Sequence, residues 1–257
     1  MTLQLGQAIS DGISRILTPT GGILFVGFLA LQLLTQASIN TAVISVFADG
    51  PAGEIEAALG MTLPVSGTVA GGLFAGAVVL SSAYFAVLSR ALTRPTVELS
   101  SFPSDLYTRR MGRATLSMFV GGLVVWLAIM VGFVFLFVPG IFLAVCFLFF
   151  TFAVGVEDRG IVDGLKRSWE LSRGDRLKLS VLVILAGGIG FISGIVGTLF
   201  DITNAAIVGE LIVNTINSIL FVMLYGIIAA AYLQVQGDSS DRVETSGASE
   251  SLNSVGS

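Results

Sequence analysis

The stretch Val138–Leu179, VPGIFLAVCFLFFTFAVGVEDRGIVDGLKRSWELSRGDRLKL, changes character at Glu157: it is uncharged and rich in phenylalanine before that residue and dense in charge after it. No charged residue lies between Arg113 and Glu157. A helix crossing hydrocarbon must satisfy its own backbone polar groups and needs about 20 mostly apolar residues. The uncharged run is too long for one crossing, and Pro139-Gly140 interrupts it. Proline lacks an amide hydrogen and disfavours a helical predecessor, while glycine accepts backbone angles that other residues avoid. The preferred reading is two crossings, 114–138 and 141–156, joined by a tight turn. Because the second is short, a kinked helix followed by a re-entrant segment stays open.

The rest of the chain repeats the pattern. It is 54% hydrophobic and 12% charged, with a mean hydropathy of +0.92, more apolar surface than one soluble core can hide. Further apolar stretches at 21–47, 65–89, 179–199 and 207–233 bring the predicted crossings to six. The expected fold is therefore all-α: a polytopic transmembrane bundle over residues 1–233. Residues 234–257 are rich in serine, glycine and acid, with too little apolar material for a core, and read as a disordered tail.

Charge gives the orientation. The 13 lysines and arginines fall into four blocks: Arg15, Arg90 to Arg113, Arg159 to Lys178, and Arg242. With six crossings these blocks lie on one side, whereas the opposite loops carry Asp49, Glu54, Glu56, Asp201 and Glu210 and no basic residue. Basic loops stay cytoplasmic, so both termini are predicted there, in a multi-pass protein of the cell membrane. No cleavable leader pattern is present, and the first crossing is expected to act as an uncleaved anchor. Histidine is absent and Cys146 is the only cysteine, which leaves no intrachain disulfide and no ordinary zinc site. No cofactor, metal or nucleic-acid partner is expected. Arginine outnumbers lysine 11 to 2 and the pI is about 4.8, a balance that points to a halophilic archaeal setting.

Three stretches ahead of the first, third and fifth crossings look alike. Asp11 and Arg15, Asp105 and Arg109, and Asp163 and Arg167 each place an acid four residues before an arginine. On a helix such pairs meet. Leu5, Ile9, Ile13 and Ile16 share one face of the first stretch, and Ile161, Leu165, Ser168 and Trp169 do so less cleanly in the third. The expectation is three units, each an interfacial amphipathic helix (2–18 in the first) and a transmembrane hairpin, with the apolar face of the helix toward lipid.

The Pro139-Gly140 break, the apolar stretch ending at Val156-Glu157-Asp158, and Leu165-Lys166-Arg167-Ser168-Trp169 followed by Gly174 carry a resemblance. Over residues 115–180 the chain resembles the membrane-domain family attached to some glycerophosphoryl diester phosphodiesterases and found in stand-alone membrane proteins. The resemblance implies a membrane module without the phosphodiesterase domain, so no catalytic residue carries over. Asp163-Gly164 with Arg167 also resembles the start of the CDP-alcohol phosphotransferase motif, but the spacing and the downstream aspartates are missing. The chain is therefore read as non-enzymatic.

Two candidate sites remain. Arg90, Arg94, Arg109, Arg110 and Arg113, with Lys166, Arg167 and Trp169, form a basic juxtamembrane surface that could organise anionic lipids or dock a protein partner. Gln32, Gln36 and Asn40 repeat every four residues in the first crossing, and Asn214, Asn217 and Ser218 lie at matching depth in the sixth. Such a polar seam is either hydrogen-bonded glue or a solute pathway for a transporter or channel. Gly67, Gly71, Gly72 and Gly76, and Gly190 and Gly194, are spaced for close helix packing, either within the bundle or in a homo-oligomer. Phe142, Phe147, Phe149, Phe150 and Phe152 are read as lipid-facing or bundle packing.

Overall fold

A computed structural model of the chain describes residues 3–47, 60–100, 102–135, 137–202 and 206–255, without the side chains of 201, 202, 206 and 238–255. The acids Asp49, Glu54 and Glu56 thus lie outside the described residues, as do the side chains of Asp201 and Arg242. Among the described residues the regular structure is entirely helical. The helices are α1 (Leu5–Ile16), α2 (Pro19–Val46), α3 (Gly67–Leu92), α4 (Asp105–Thr108), α5 (Met111–Phe135), α6 (Phe137–Cys146), α7 (Phe150–Gly155), α8 (Ile161–Ser172), α9 (Arg176–Ile202) and α10 (Ala206–Val255). Six segments are long and apolar enough to cross a membrane: α2, α3, α5, α6 with α7 (Phe137–Gly155), Arg176–Phe200 of α9, and Ile207–Gly237 of α10.

Local chemistry sets the ends. α2 starts slightly earlier than hydropathy suggests because Thr18 accepts a hydrogen bond from the Gly21 N–H at 3.2 Å and Pro19 occupies the first helical position. Pro139 falls in the first turn of α6, where no amide hydrogen is needed. The contacts of Gly132 with Gly140, Gly121 with Phe150 and Met118 with Gly155 run in opposite order along α5 and α6–α7. The fourth segment therefore runs back alongside the third.

That crossing is broken. Helical bonding lapses over Phe147–Phe149, where bulky aromatic side chains lose rotamer freedom against the preceding turn. The Ser168 hydroxyl on α8 donates to the Cys146 carbonyl at 2.8 Å, occupying an acceptor at the break. Phe149, Phe150 and Phe152 are buried there, so this part of the phenylalanine run is bundle packing.

The bundle closes around aromatic rings. α2 packs on α3 and α10, α3 on α5 and α7, and α9 on α10 and α6. Phe28 stacks on Phe221 at 4.0 Å, Phe221 lies 4.6 Å from Tyr225, and Phe152 stacks on Tyr232 at 5.2 Å. Tyr84 donates its hydroxyl to the Leu24 carbonyl at 2.8 Å, as a buried phenol requires.

The glycines pack differently from their spacing. A Cβ on Gly71, Gly72, Gly76, Gly190 or Gly194 would meet nothing within 4 Å, so no neighbouring helix packs closely on them. Of the spaced set only Gly67 makes a close approach, to Ser45. The tight crossings are elsewhere, at Gly12, Gly121, Gly132, Gly155, Gly164 and Gly226.

The three stretches ahead of the odd crossings also differ from one another. α1 and α8 are three-turn helices, but α4 spans only four residues. Pro103 precedes it, and Arg110, just after it, has φ 45°, a left-handed angle that ends the helix. The buried faces of α1 and α8 are their small ones, Ala8 and Gly12 in α1 and Gly164, Ser168, Leu171 and Ser172 in α8. Ile9 is 40% exposed. α1 docks on α10, where Gly12 meets the backbone of Gly226 and Ile227.

α10 continues as helical backbone past the apolar stretch to Val255. Beyond Gly237 the sequence is rich in serine, glycine and acid, with too little apolar material for a core. Deleting residues 238–257 should leave the unfolding free energy within about 0.5 kcal/mol of the full chain, as expected away from packed features. Equilibrium unfolding of both forms in the same detergent checks this.

Candidate functional site

The charged residues after the fourth crossing form a clasp at one end of the bundle. Asp158 has φ 52°, a left-handed angle that aspartate tolerates better than most residues, and the chain turns there. The turn aims its carboxylate at Arg90, whose Nη2 donates to Oδ1 at 3.1 Å, and at Arg109, whose Nη2 donates to Oδ2 at 2.7 Å. The Arg90 side chain is only 8% exposed. Its remaining donors go to the carbonyls of Gly155 at 2.7 Å and Arg109 at 2.8 Å. Arg90 thus ties the end of α3 to the end of α7 and to the start of α5.

Glu157 is the second hub. It accepts from Arg159 at 2.5 Å, from Arg167 on α8 at 3.2 Å and from the Tyr232 hydroxyl on α10 at 2.6 Å. Burial pushes its carboxyl up, but the hydrogen bonds from Tyr232 and Arg159 and the charge of Arg167 outweigh that and hold it below the usual 4.5. A carboxyl lowered on folding stabilises fully above its unfolded pKa and loses that contribution as pH falls through the folded value. Stability should therefore be level from neutrality down to about pH 5 and fall below the ordinary carboxylate range. Thermal unfolding against pH tests this: Glu157→Gln should flatten part of the acid limb, and an unchanged limb would contradict it.

The three arginines of the repeated stretches do not close on the acids four residues before them. Arg15 donates to the Leu92 and Arg94 carbonyls at 2.9 and 2.6 Å, neutralising the end of α3. Arg109 goes to Asp158 and Arg167 to Glu157. In each unit the arginine fastens its stretch to the end of a crossing.

The basic surface therefore divides. Arg90 faces inward, Arg167 is partly buried in the clasp, and Arg109 is paired yet 66% exposed. Arg110, Arg113 and Lys166 are exposed, Arg94 and Trp169 half-buried. Arg173, exposed at the end of α8, belongs with the outward group. Trp169 is held between Phe142 and Phe147, at centroid distances of 5.7 and 6.2 Å, with the Arg176 guanidinium 4.9 Å from its ring and from that of Phe142.

At the other end lies the polar seam. Asn40 donates to Glu210 Oε1 at 3.3 Å and to the Met61 carbonyl at 3.1 Å, and it accepts from Gln36 at 3.1 Å. The Met61 N–H donates to the other oxygen of Glu210. Glu210, which composition assigned to a loop, lies in α10 within the sixth crossing. Asn40 facing Glu210 and Phe28 stacked on Phe221 fix an antiparallel register of α2 against α10. That register brings Gln36 level with Asn214 and Gln32 level with Asn217 and Ser218.

Asn214 bonds within its own helix, to the Glu210 carbonyl at 2.9 Å, and Asn217 accepts from Ser193 of α9 at 2.5 Å. The fully buried hydroxyls of Ser38 and Ser218 have no hydrogen-bond partner among the described residues. Asn40→Leu should cost about 1–2 kcal/mol by removing a donor from Glu210 and a partner from Gln36. Its unfolding free energy in detergent, set against Gln36→Leu, measures the rung.

Gln32 and Asn217 also line a void within the bundle. A cavity of about 520 Å³ lies between α2, α5, α6–α7, α9 and α10, with aliphatic and aromatic walls relieved by Gln32, Thr151 and Asn217. Its volume is within the range of small-molecule sites. A second, open groove of about 410 Å³ runs beside α8, bounded by Phe147, Leu165, Lys166, Trp169, Glu170 and Arg173. Phe147, in the break of the fourth crossing, belongs to both walls.

Sequence spacing points to Asn40 facing the sixth segment, but not to Glu210 as its partner, to the cavity or to Arg173. Only the phenylalanine-rich stretch at 147–152 marks, in the sequence, the place where the fourth segment departs from a regular helix. The model of a family described as a domain of unknown function (DUF7847) matches residues 3–235. No curated protein and no solved structure matches.

Proposed function

The chain belongs to the DUF7847 family, and from that premise we propose that it is a non-enzymatic, multi-pass protein of the cell membrane that organises anionic lipid at its cytoplasmic face. One observation carries the reading: Arg94, Arg110, Arg113, Lys166 and Arg173 have no ion-pair partner among the described residues, while Arg90, Arg109 and Arg167 at the same end are paired. Cations that the fold does not use can meet headgroup phosphates, each contributing about 1 kcal/mol near an anionic surface. The clasp holds them in place. In this reading the basic end faces the cytoplasm, the crossings form three hairpins, and α1 and α8 lie along the interface. The resemblance of residues 115–180 to the membrane domain attached to glycerophosphoryl diester phosphodiesterases supports the same view.

Native mass spectrometry of the protein released with its own lipids tests it. The amount of anionic lipid retained should fall in Arg110→Gln/Arg113→Gln, and a lipid-free bundle from the unaltered chain would contradict the proposal.

A second reading has its own support, because the rungs from Glu210 through Gln36 to Gln32 lead to the cavity. Passive movement of a small polar solute along this seam would make Gln36→Leu abolish flux into vesicles while leaving unfolding unchanged. Loss of stability without any measurable flux in either form would leave the seam as glue.

A further inference from the structure

We propose that the cavity and the α8 groove are two compartments of one site, holding a single anionic glycerophospholipid with its phosphate between Lys166 and Arg173 and one acyl chain beyond Phe147. The proposal rests on the lipid reading above and gives it a specific place. Four observations converge on it.

The first is the character of the void. Its walls are mostly hydrocarbon, and a polar solute would have to give up water for a few polar side chains. An alkyl chain gives up nothing, and apolar cavities take apolar occupants.

The second is access. α5 and α9 both line the cavity but do not pack closely against each other, since α5 packs on α3 and α6–α7, and α9 on α6 and α10. A chain from the surrounding bilayer can pass between them.

The third is the break in the fourth crossing. Non-helical backbone at membrane depth is tolerated where it is buried in protein or lines a water-filled cavity. Here it is enclosed by the bundle, with Phe149 and Phe150 buried and turn hydrogen bonds from the Leu148 and Phe150 N–H groups to the Val145 and Phe147 carbonyls, and it delivers one half-buried ring, Phe147, to the boundary between cavity and groove. A regular helix through 147–149 would not leave the Cys146 carbonyl for Ser168, and α8 would lose that tether.

The fourth is charge. The groove carries two cations without ion-pair partners, Lys166 and Arg173, against one acid, Glu170. Charge-assisted hydrogen bonds from such groups are the strong ones for a phosphodiester. Trp169, the aromatic wall between them, is pinned by Phe142, Phe147 and the Arg176 guanidinium. Tryptophan of this kind sits naturally at headgroup level.

The test uses the full chain, exchanged into nanodiscs of equal phosphatidylglycerol and phosphatidylcholine and then released for native mass spectrometry. One retained lipid per chain is expected, with phosphatidylglycerol favoured. Lys166→Gln/Arg173→Gln, both on exposed positions, should lower that preference about tenfold, equivalent to roughly 1.4 kcal/mol, yet leave one lipid bound. Ala186→Phe, which fills the cavity, should remove both lipids, and Ala144→Phe does the same from the opposite wall.

Should the filled variants fail to fold, a chain-brominated phosphatidylglycerol provides the second measurement. In Trp126→Phe it should quench Trp169, the tryptophan that remains, more than the matched phosphatidylcholine does. No quenching preference, or a phosphatidylglycerol preference that survives Lys166→Gln/Arg173→Gln, overturns the headgroup assignment. Retention unaffected by filling the cavity overturns the chain assignment. Displacement of the lipid by millimolar inorganic phosphate would mark a free-anion site and also overturn the proposal. Arg110→Gln/Arg113→Gln should leave this one lipid in place, so failure of the site and failure of the broader lipid reading are read separately.

Discussion

Asp158→Ala should lower the unfolding free energy by about 3 kcal/mol, because removing one partner of a buried pair strands the other charge. The stranded group is Arg90, whose side chain is 8% exposed and lies between three backbone carbonyls and the carboxylate. Carbonyl dipoles solvate a guanidinium only in part, so most of the desolvation cost reappears when the counter-charge goes. Arg109, also freed, is 66% exposed and adds little. The left-handed angle at Asp158 complicates alanine, which is strained there. Asp158→Asn separates the two effects, since asparagine keeps the angle and drops the charge. If Asn costs nearly as much as Ala, charge dominates. A drop below about 1 kcal/mol for both, the scale of an exposed pair, would mean that the clasp is solvated. Equilibrium unfolding in one detergent at pH 7, with Arg90→Leu completing a double-mutant cycle, gives the coupling directly.

The architecture was legible because hydrocarbon imposes a coarse and exacting rule. Six apolar stretches of the right length appear in the sequence and as helices, with ends a few residues apart. At Pro139-Gly140, where the sequence shows a break, a new helix starts at Phe137. What the sequence concealed was the partner of each polar group. Asp163 and Arg167 have helical spacing, yet Glu157 offers Arg167 a partly buried carboxylate already held by Tyr232, a stronger acceptor than a solvated aspartate one turn away. The seam was half visible: Asn40 does face α10, but it meets Glu210, and Asn217 turns to Ser193. Spacing places a residue on a face; which neighbour supplies the complementary atom depends on helix rotation. The glycine patterns do not mark the close contacts inside the bundle for the same reason, since GxxxG describes a small face and says nothing of which helix covers it.

Gly12→Leu is the second large effect expected, and it separates two uses of one sequence feature. Both Asp11-Gly12 and Asp163-Gly164 place glycine on the docking face of a helix ahead of a crossing. At Gly164 an added Cβ would lie 2.8 Å from the end of the Val154 side chain, which can rotate. At Gly12 it would lie 2.6 Å from the Cα and N of Ile227, and the reciprocal Cβ on Gly226 would lie 2.8 Å from the Gly12 carbonyl. Backbone cannot move aside without separating α1 from α10. Overpacking costs about 1–3 kcal/mol even where side chains can adjust, and this contact belongs at the upper end of that range or above it. Separation would also break the Gln4–Gln234 and Lys178–Leu3 hydrogen bonds, at 3.0 and 2.7 Å. A cysteine replacing the fully buried Ala8, in a Cys146→Ser background, reports the opening. Its thiol should label roughly 30- to 100-fold faster with Gly12→Leu present, following the tenfold per 1.4 kcal/mol conversion. Gly164→Ala should accelerate the equivalent probe at Ser168 far less. Since Arg15 still holds the far end of α1 to α3 and the α8 groove is untouched, Gly12→Leu should loosen α1 without releasing the lipid. Simultaneous loss of lipid would show that α1 and α8 act as one surface.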